Sequence, residues 1–120
     1  MKVLVIGASL KPARVSHRAI QLLRSHRHEV EAIGSQSGQI LDVQIKDHVD
    51  QLDLQDIHTI TLYINPKIQE YYKDLIVKIK PKRVIFNPGT ENEIFARELG
   101  KSGIFSEDAC TLVLLNTRQF

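Results

Sequence analysis

The chain has 120 residues, of which 42% are hydrophobic and 25% are charged. These proportions are ordinary for a protein with one hydrophobic core, so we expect a single domain over residues 1–120. The net charge of +2 is too small to favour a nucleic-acid partner, and no apolar run approaches the roughly 20 residues that span a bilayer, so no membrane partner is expected. Cys110 is the single cysteine and has no partner for an internal disulfide, which favours the cytoplasm. The N-terminus enters a strand at once and leaves no room for a signal peptide, which favours the same location.

The chain opens with a pattern of strand, small-residue turn and amphipathic helix. Lys2–Ile6 is predicted to be a buried strand and Ser16–His26 a helix, and Gly7-Ala8-Ser9 begins the turn between them. Such a turn lets backbone N–H groups approach a phosphate at the helix N-terminus. A dinucleotide fingerprint needs glycine at the first, third and sixth positions, where this chain has Gly7, Ser9 and Pro12. The turn therefore predicts a phosphate site that is not the standard NAD type, with a purely structural turn as the alternative.

Strands and helices alternate along the rest of the chain. Further strands are predicted at Glu29–Ile33, Thr59–Ile64, Arg83–Phe86 and Ile104–Ser106, with helices at Pro66–Lys78, Glu91–Ser102 and Asp108–Leu115. A short strand near Val43–Ile45 is an open alternative, as is a strand over residues 111–115, which show no clear period. This alternation predicts a Rossmann-like α/β fold, doubly wound, with a mostly parallel five-stranded sheet and helices on both faces.

Capping residues support three of the predicted helix ends. Asn65 before Pro66 predicts an N-cap with proline at the first helical position. Thr90 with Glu93 three residues later predicts a capping box. The glycines at 100 and 103 predict the end of that helix.

In a Rossmann-like sheet the ligand lies across the carboxyl ends of the strands. Four loops leave those ends, at Gly7–Arg14, Gly34–Gly38, Tyr63–Pro66 and Asn87–Glu91. The second strand ends without the carboxylate that NAD-binding domains use for the ribose, so NAD is disfavoured. Lys11 and Arg14 offer cations for an additional ribose phosphate, although a solvated surface loop would carry the same residues. Ordinary turn chemistry by itself also accounts for Gly34 and Gly38.

Four segments carry a family resemblance in their order and spacing. They are Gly7-Ala8-Ser9 with Pro12, Arg14 and Ser16; Tyr63-Ile64-Asn65-Pro66; Asn87-Pro88-Gly89-Thr90-Glu91; and Ala109-Cys110-Thr111. Together they resemble the family of small CoA-binding proteins, whose Rossmann domain is similar to the N-terminal domain of the succinyl-CoA synthetase alpha subunit. The resemblance covers nearly the whole chain and implies coenzyme A or an acyl-CoA in the crevice, with its phosphates over the first loop and its adenine near the second strand. The synthetase's second domain and phosphorylated histidine find no counterpart here, so the resemblance implies ligand binding without ligase activity.

The residues predicted to contact CoA follow from these loops and from the resemblance. They are Gly7, Ala8, Ser9, Lys11, Pro12, Arg14, Ser16, Gly34, Ser35, Tyr63, Ile64, Asn65, Pro66, Asn87, Pro88, Gly89 and Cys110. Cys110 is either a buried inert thiol or a thiol that faces the CoA sulfhydryl. No pair of nucleophile and base stands out, and the histidines lack the spacing of metal ligands, so neither a catalytic residue nor a metal is predicted.

The predicted function is a non-catalytic binding, sensing or accessory role with CoA as the small-molecule partner. The alternatives are a small NADP-dependent oxidoreductase, a CoA-dependent acyl-transfer enzyme that uses Cys110, and an interaction module with a vestigial crevice. The sequence leaves open whether a protein partner or a homo-oligomer exists.

Overall fold

A computed structural model describes all 120 residues. Its strands are β1 Lys2–Ala8, β2 Glu29–Gly34, β3 Gly38–Ile40, β4 Val43–Lys46, β5 Thr59–Leu62, β6 Arg83–Phe86 and β7 Phe105–Asp108. Its α-helices are α1 Val15–Ser25, α2 Pro66–Gln69, α3 Lys73–Ile79, α4 Glu93–Lys101 and α5 Thr111–Asn116, and a 3-10 helix spans Val49–Gln51.

The seven strands form one sheet in the order β3-β4-β2-β1-β5-β6-β7. Every neighbouring pair is parallel except β3 with β4. Without β3, the parallel strands follow the doubly wound order third, second, first, fourth, fifth, sixth. The order reverses between β1 and β5, which is where open α/β sheets bind their ligands.

Helices pack on both faces of the sheet, and each face has its own apolar core. Val3 and Val5 of β1 join the core under α1 and α5, and Leu4 and Ile6 join the core under α3 and α4. Because successive strand residues point to opposite faces, a strand buried on both faces is apolar throughout, as β1 is. No helix here combines the length and the apolar character that a bilayer crossing requires.

The predicted fold class is confirmed, but the sheet has seven strands where five were predicted. The short strand near Val43–Ile45 exists as β4. Strand β3 was missed because it has only three residues and is held by antiparallel pairing with β4 rather than by an apolar pattern of its own. The two join through a tight turn in which Leu41 takes a φ of 53°.

The predicted helices differ from the observed ones at three places. Pro66–Lys78 is two helices, α2 and α3, separated by residues 70–72. The capping box at Thr90 and Glu93 is wrong, since α4 begins at Glu93 and the side chain of Asn92 caps it by accepting from the Phe95 amide. Residues 111–116 form a helix, so the strand alternative for 111–115 is wrong.

Candidate functional site

The loops that follow β1 and β5 meet at the reversal point of the sheet. The Tyr63 amide donates to the carbonyl of Ile6 at 2.8 Å, which extends the pairing of the two strands into the second loop. Gly7 has a φ of 97°, and a Cβ placed there would lie 2.7 Å from the carbonyl oxygen of Tyr63. Glycine is therefore required at residue 7 both by backbone conformation and by the close approach of the β5 loop.

The N-terminus of α1 presents unused backbone donors at this point. Its N-cap, Arg14, is extended and makes no side-chain cap, and the first turn holds no acidic residue. The amides of Val15 and Ser16 find no acceptor in the protein, whereas those of His17 and Arg18 bond the Arg14 carbonyl. Free N–H groups and the helix dipole together favour an anion here.

The loop between β1 and α1 is ordered by its own hydrogen bonds. Ser9 Oγ accepts from the Lys11 amide at 3.1 Å, and the Arg14 amide donates to the Lys11 carbonyl at 3.0 Å. His17 Nδ1 lies 3.2 Å from the Ser9 carbonyl and must carry the proton, because a carbonyl can only accept. Lys11 and Arg14 are exposed and have no carboxylate within ion-pair distance, so both cations are free to meet a ligand.

The glycines of the β2 loop have structural roles. A Cβ at Gly34 would lie 2.1 Å from the carbonyl oxygen of Ala8, and one at Gly38 would lie 2.6 Å from the Leu10 side chain. Gly34 therefore permits the close approach of β1 and β2, whereas Leu10 reaches across to cover the start of β3. Ser35, between them in the chain, is exposed.

The β6 loop holds one buried side chain that the sequence placed at the ligand. Asn87 Nδ2 donates to Thr61 Oγ1 at 2.6 Å and to the Leu62 carbonyl at 2.9 Å, and its Oδ1 accepts from the Thr111 amide at 2.9 Å. These bonds join β5, β6 and α5, and they occupy the amide. Asn87 therefore frames the edge of the sheet instead of offering its side chain to a ligand.

The remaining loop residues face outward. Asn65 caps α2, as predicted, by accepting from the Ile68 amide at 3.0 Å. Pro88 and Gly89 form an exposed turn closed by the Thr90 amide on the Asn87 carbonyl at 2.9 Å. The φ of 92° at Gly89 suits the third position of a type II turn after proline.

Tyr63 and Cys110 lie beside a small cluster of buried hydroxyls. Thr61 Oγ1 and Thr111 Oγ1 are 2.8 Å apart, and the Tyr63 hydroxyl is buried near both without a well-formed hydrogen bond. Burial raises the pKa of Tyr63 to about 12, and the neighbouring threonine hydroxyls offset only part of that rise. The tyrosine is thus neutral at physiological pH. Cys110, the N-cap of α5, is partly exposed instead of buried in the core.

Gln69 organises the edge of the sheet, although the sequence analysis did not identify it. Its Nε2 donates to the carbonyls of Ile64 and Thr90 at 2.9 and 2.7 Å, and its Oε1 accepts from Asn92 Nδ2 at 2.8 Å. Gln69 is fully buried and connects the β5 loop to the β6 loop. A glutamine within a predicted amphipathic helix gives no sequence signal of burial, so only the packing identifies it.

The predicted contact residues thus fall into two groups along one edge. Those with outward surface or free donors are Ser9, Lys11, Pro12, Arg14, Ser16, Ser35, Asn65, Pro66, Pro88, Gly89 and Cys110. Those that lie inside the edge and support it are Gly7, Ala8, Gly34, Tyr63, Ile64 and Asn87. Two cavities of about 470 Å³ lie elsewhere, one at the amino end of the strands beside Lys2 and Asp53, the other between α1 and α5 beside Leu22 and Leu112.

Comparisons with known proteins show the family and the fold of this chain. A family described as a CoA binding domain matches residues 1–116. A crystal structure of an uncharacterized protein is 39% identical with a TM-score of 0.92, covering 99% of this chain and 97% of that one. A conserved hypothetical protein from Pyrococcus furiosus is 27% identical with a TM-score of 0.79, covering 93% and 97%.

A larger enzyme shares the fold alone. The dinucleotide-forming acetyl-coenzyme A synthetase 1 of Ca. Korarchaeum cryptofilum, solved with phosphate and ADP, is 16% identical with a TM-score of 0.68. The match covers 88% of this chain but 25% of the synthetase. Among curated proteins, none matches.

Proposed function

The chain belongs to the CoA-binding domain family, and on this premise we propose that it binds coenzyme A or an acyl-CoA as a non-catalytic binding, sensing or accessory protein. The observation that carries the proposal is the N-terminus of α1. Its free amides at Val15 and Ser16 and the unpaired cations Lys11 and Arg14 lie where the strand order reverses. A multiply phosphorylated ligand matches this combination of helix dipole, N–H donors and unpaired positive charge.

The proposed ligand runs along the carboxyl edge of the sheet. Its diphosphate lies over the Ser9–Arg14 loop, and its adenine lies toward Ser35 at the end of β2. The pantetheine arm extends past the β5 loop toward Cys110. Lys11 and Arg14 are the proposed partners of the 3′-phosphate, which distinguishes CoA from dephospho-CoA.

The end of β2 supports selectivity against NAD. Ile33 and Gly34 close the strand, and the exposed residues that follow are Ser35, Gln36 and Ser37. The ribose hydroxyls of NAD therefore lack the carboxylate that dinucleotide-binding domains supply at this place.

Isothermal titration calorimetry with CoA, dephospho-CoA, acetyl-CoA, NAD and NADP tests the proposal. We expect CoA and acetyl-CoA to bind more tightly than NAD, with an affinity that falls as salt is raised. NAD binding equal to or tighter than CoA binding would overturn the proposal. Tightest binding of NADP would instead favour the oxidoreductase alternative, and no binding of any of the five would favour an interaction module.

The double variant Lys11→Ala/Arg14→Ala tests the 3′-phosphate assignment. Charge-assisted bonds to phosphate contribute up to about 1.5–3 kcal/mol each, so we expect the preference for CoA over dephospho-CoA to fall by roughly tenfold or more. Lys101→Ala is the matched control, because Lys101 is exposed and lies at the opposite end of the strands, where α4 ends. An unchanged preference in the double variant would assign the 3′-phosphate to other residues.

Two further parts of the proposal need their own measurements. Turnover of acetyl-CoA that depends on Cys110 would establish the acyl-transfer alternative in place of a non-catalytic role. The cytoplasmic location, proposed from the use of a single cysteine, is tested by fractionation of cells that produce the protein.

A further inference from the structure

A groove of about 470 Å³ lies between α1 and α5 on one face of the sheet. Its two apolar lining residues are Leu22 of α1 and Leu112 of α5, and both are half-buried. The other lining side chains are polar and belong to exposed residues, so they form its rim. These are Arg18, Gln21, Ser25 and Asn116. We call this space the α1–α5 groove.

The two helices that form the groove run in the same direction, away from the carboxyl edge of the sheet. Helix α1 follows β1 and therefore begins at that edge. Helix α5 begins there as well, because the amide of its first residue, Thr111, donates to Asn87 Oδ1 at 2.9 Å. Beyond their other ends, the rings of His28 and Phe120 lie 5.2 Å apart. The groove therefore leads from the carboxyl edge toward the amino end of the strands.

The end of the groove nearest the carboxyl edge lies beside the proposed CoA site. Leu112 comes two residues after Cys110, the N-cap of α5, where the pantetheine arm is proposed to end. On the other helix, Arg18 lies one turn after Val15, the first residue of α1. A group attached to the CoA sulfur would therefore lie at the entrance of the groove.

Apolar surface continues from this entrance into the groove. Residues that are three, four or seven positions apart share a face of an α-helix, so Val15, Arg18 and Leu22 lie on one face of α1. Val15 is 39% exposed, and it extends the apolar surface of Leu22 toward the edge. The methylene stem of Arg18 adds to this surface while its guanidinium, which pairs with no carboxylate, reaches water. An apolar base with a polar rim suits an alkyl chain.

We propose that the α1–α5 groove binds the alkyl chain of an acyl-CoA, which makes a medium-chain acyl-CoA the ligand of this protein. The inference rests on the proposed function, because the CoA part must be held at the carboxyl edge to bring its thioester to the entrance. The groove extends along α1 from Arg18 to Ser25, a rise of roughly 10 Å, which matches an alkyl chain of medium length. Burial of the chain against Leu22 and Leu112 removes apolar surface of both partners from water.

Isothermal titration calorimetry with CoA, acetyl-CoA, butyryl-CoA, hexanoyl-CoA and octanoyl-CoA tests the proposal. Complete burial of a methylene raises affinity about fourfold, and an open groove buries each methylene in part, so we expect about twofold for each. Octanoyl-CoA should therefore bind at least about tenfold more tightly than acetyl-CoA. If CoA binds and chain length has no effect, this inference is overturned and the proposed function stands. If none of the five binds, both are overturned.

Variants on α5 test whether the chain lies in this groove. In Asn116→Trp the indole fills the space beside α1, so the affinity ratio of octanoyl-CoA to acetyl-CoA should fall below about threefold. Leu112→Ser removes apolar surface without filling the groove and should lower the ratio as well. Val113→Trp is the matched control, since Val113 is 55% exposed and does not line the groove, and its ratio should stay that of the unaltered protein. An unchanged ratio in either Asn116→Trp or Leu112→Ser would overturn the proposal.

Two other occupants of the groove would give different results. Octanoate lacks the CoA contacts and should bind at least about tenfold more weakly than octanoyl-CoA. Equal affinities would assign the groove to free fatty acids and overturn the proposal. Sedimentation velocity should give the same mass for the unaltered protein and for Asn116→Trp. A dimer that this substitution dissociates would show that a second copy of the chain fills the groove, which would also overturn the proposal.

Discussion

Some residues at the candidate site have a structural role that is independent of any ligand. Gly7 is an example. A phosphate-binding loop would need a small residue there, and a Cβ at this residue would also clash with the Tyr63 carbonyl. A bulky side chain at residue 7 therefore disturbs the fold as well as any ligand. Tests of binding belong at exposed residues such as Lys11 and Arg14, whose side chains have no structural partner.

We expect Gly7→Ala to lower the free energy of unfolding by about 2–4 kcal/mol, since it combines a positive φ with a Cβ clash against backbone. Gly100→Ala is the matched control. Gly100 lies within α4 with nothing within 4 Å of a Cβ and without a positive φ, so alanine should stabilise by about 0.5–1 kcal/mol. Urea denaturation followed by circular dichroism measures both. Equal effects of the two substitutions would show that the close approach at Gly7 does not constrain the fold.

The Cys110 thiol is placed where the proposed pantetheine arm ends. Its partial exposure permits thiol–disulfide exchange with CoA disulfide: the Cys110 thiolate attacks one sulfur, a protein–CoA mixed disulfide forms, and the other CoA leaves as a thiolate. We expect intact-mass spectrometry to show one CoA adduct that reductant removes and that Cys110→Ser lacks. Absence of the adduct from the native protein, with labelling only after denaturation, would show that Cys110 is inaccessible to CoA.

At the scale of elements, loops of the sheet edge are fixed by side chains from neighbouring elements. Gln69, the last residue of α2, turns inward and donates to the carbonyls of Ile64 and Thr90, and residues 70–72 then separate α2 from α3. The helical pattern of residues 66–78 continues across the break in sequence. The sequence pattern therefore did not predict the break between α2 and α3.

We expect Gln69→Ala to destabilise the protein by about 2–4 kcal/mol, because it leaves two buried carbonyls and the Asn92 amide without their partner. Hydrogen exchange should accelerate in both loops, at residues 63–66 and 87–92. Gln21→Ala on the exposed face of α1 is the control and should change stability by less than about 0.5 kcal/mol. If exchange in the two loops is the same in Gln69→Ala as in the unaltered protein, Gln69 does not connect them.

At the scale of the whole molecule, three histidines make stability depend on pH. The pKa values of two of them are lowered by folding, and the pKa of the third is raised. His28 and His58 have lowered pKa values in the folded protein, so the unfolded chain binds their protons more readily. Their stabilising contribution is complete above the ordinary pKa of 6.5 and is lost as pH falls toward the lowered values. His48 acts in the opposite sense, since its hydrogen bond to Asp47 raises its pKa, but that exposed pair is well screened.

We therefore expect the urea midpoint to be lower at pH 5.5 than at pH 7.5. His28→Gln/His58→Gln should reduce this difference, whereas His48→Gln should retain it. A midpoint that is equal or higher at pH 5.5 would contradict the lowered pKa values of these two partly buried histidines.

The sequence by itself determined the alternation of strand and helix and the parallel sheet, and it predicted a ligand at the carboxyl edge. These features follow from local chemistry: apolar runs of strand length, amphipathic periodicity, and small or capping residues directly after strands. The Asn65 cap was predictable because Asn followed by Pro acts within one helical turn. The family segments were readable for the same reason, since each is contiguous in the chain.

The tertiary structure alone decided which of those residues remain free for a ligand. Asn87 and Gln69 carry the same amide group and differ from exposed Asn65 only in what surrounds them. Strand β3 likewise exists because β4 pairs with it, and the Phe120 ring packs against Arg83 and His28. Such contacts join residues that are distant in the chain, and no local pattern specifies them.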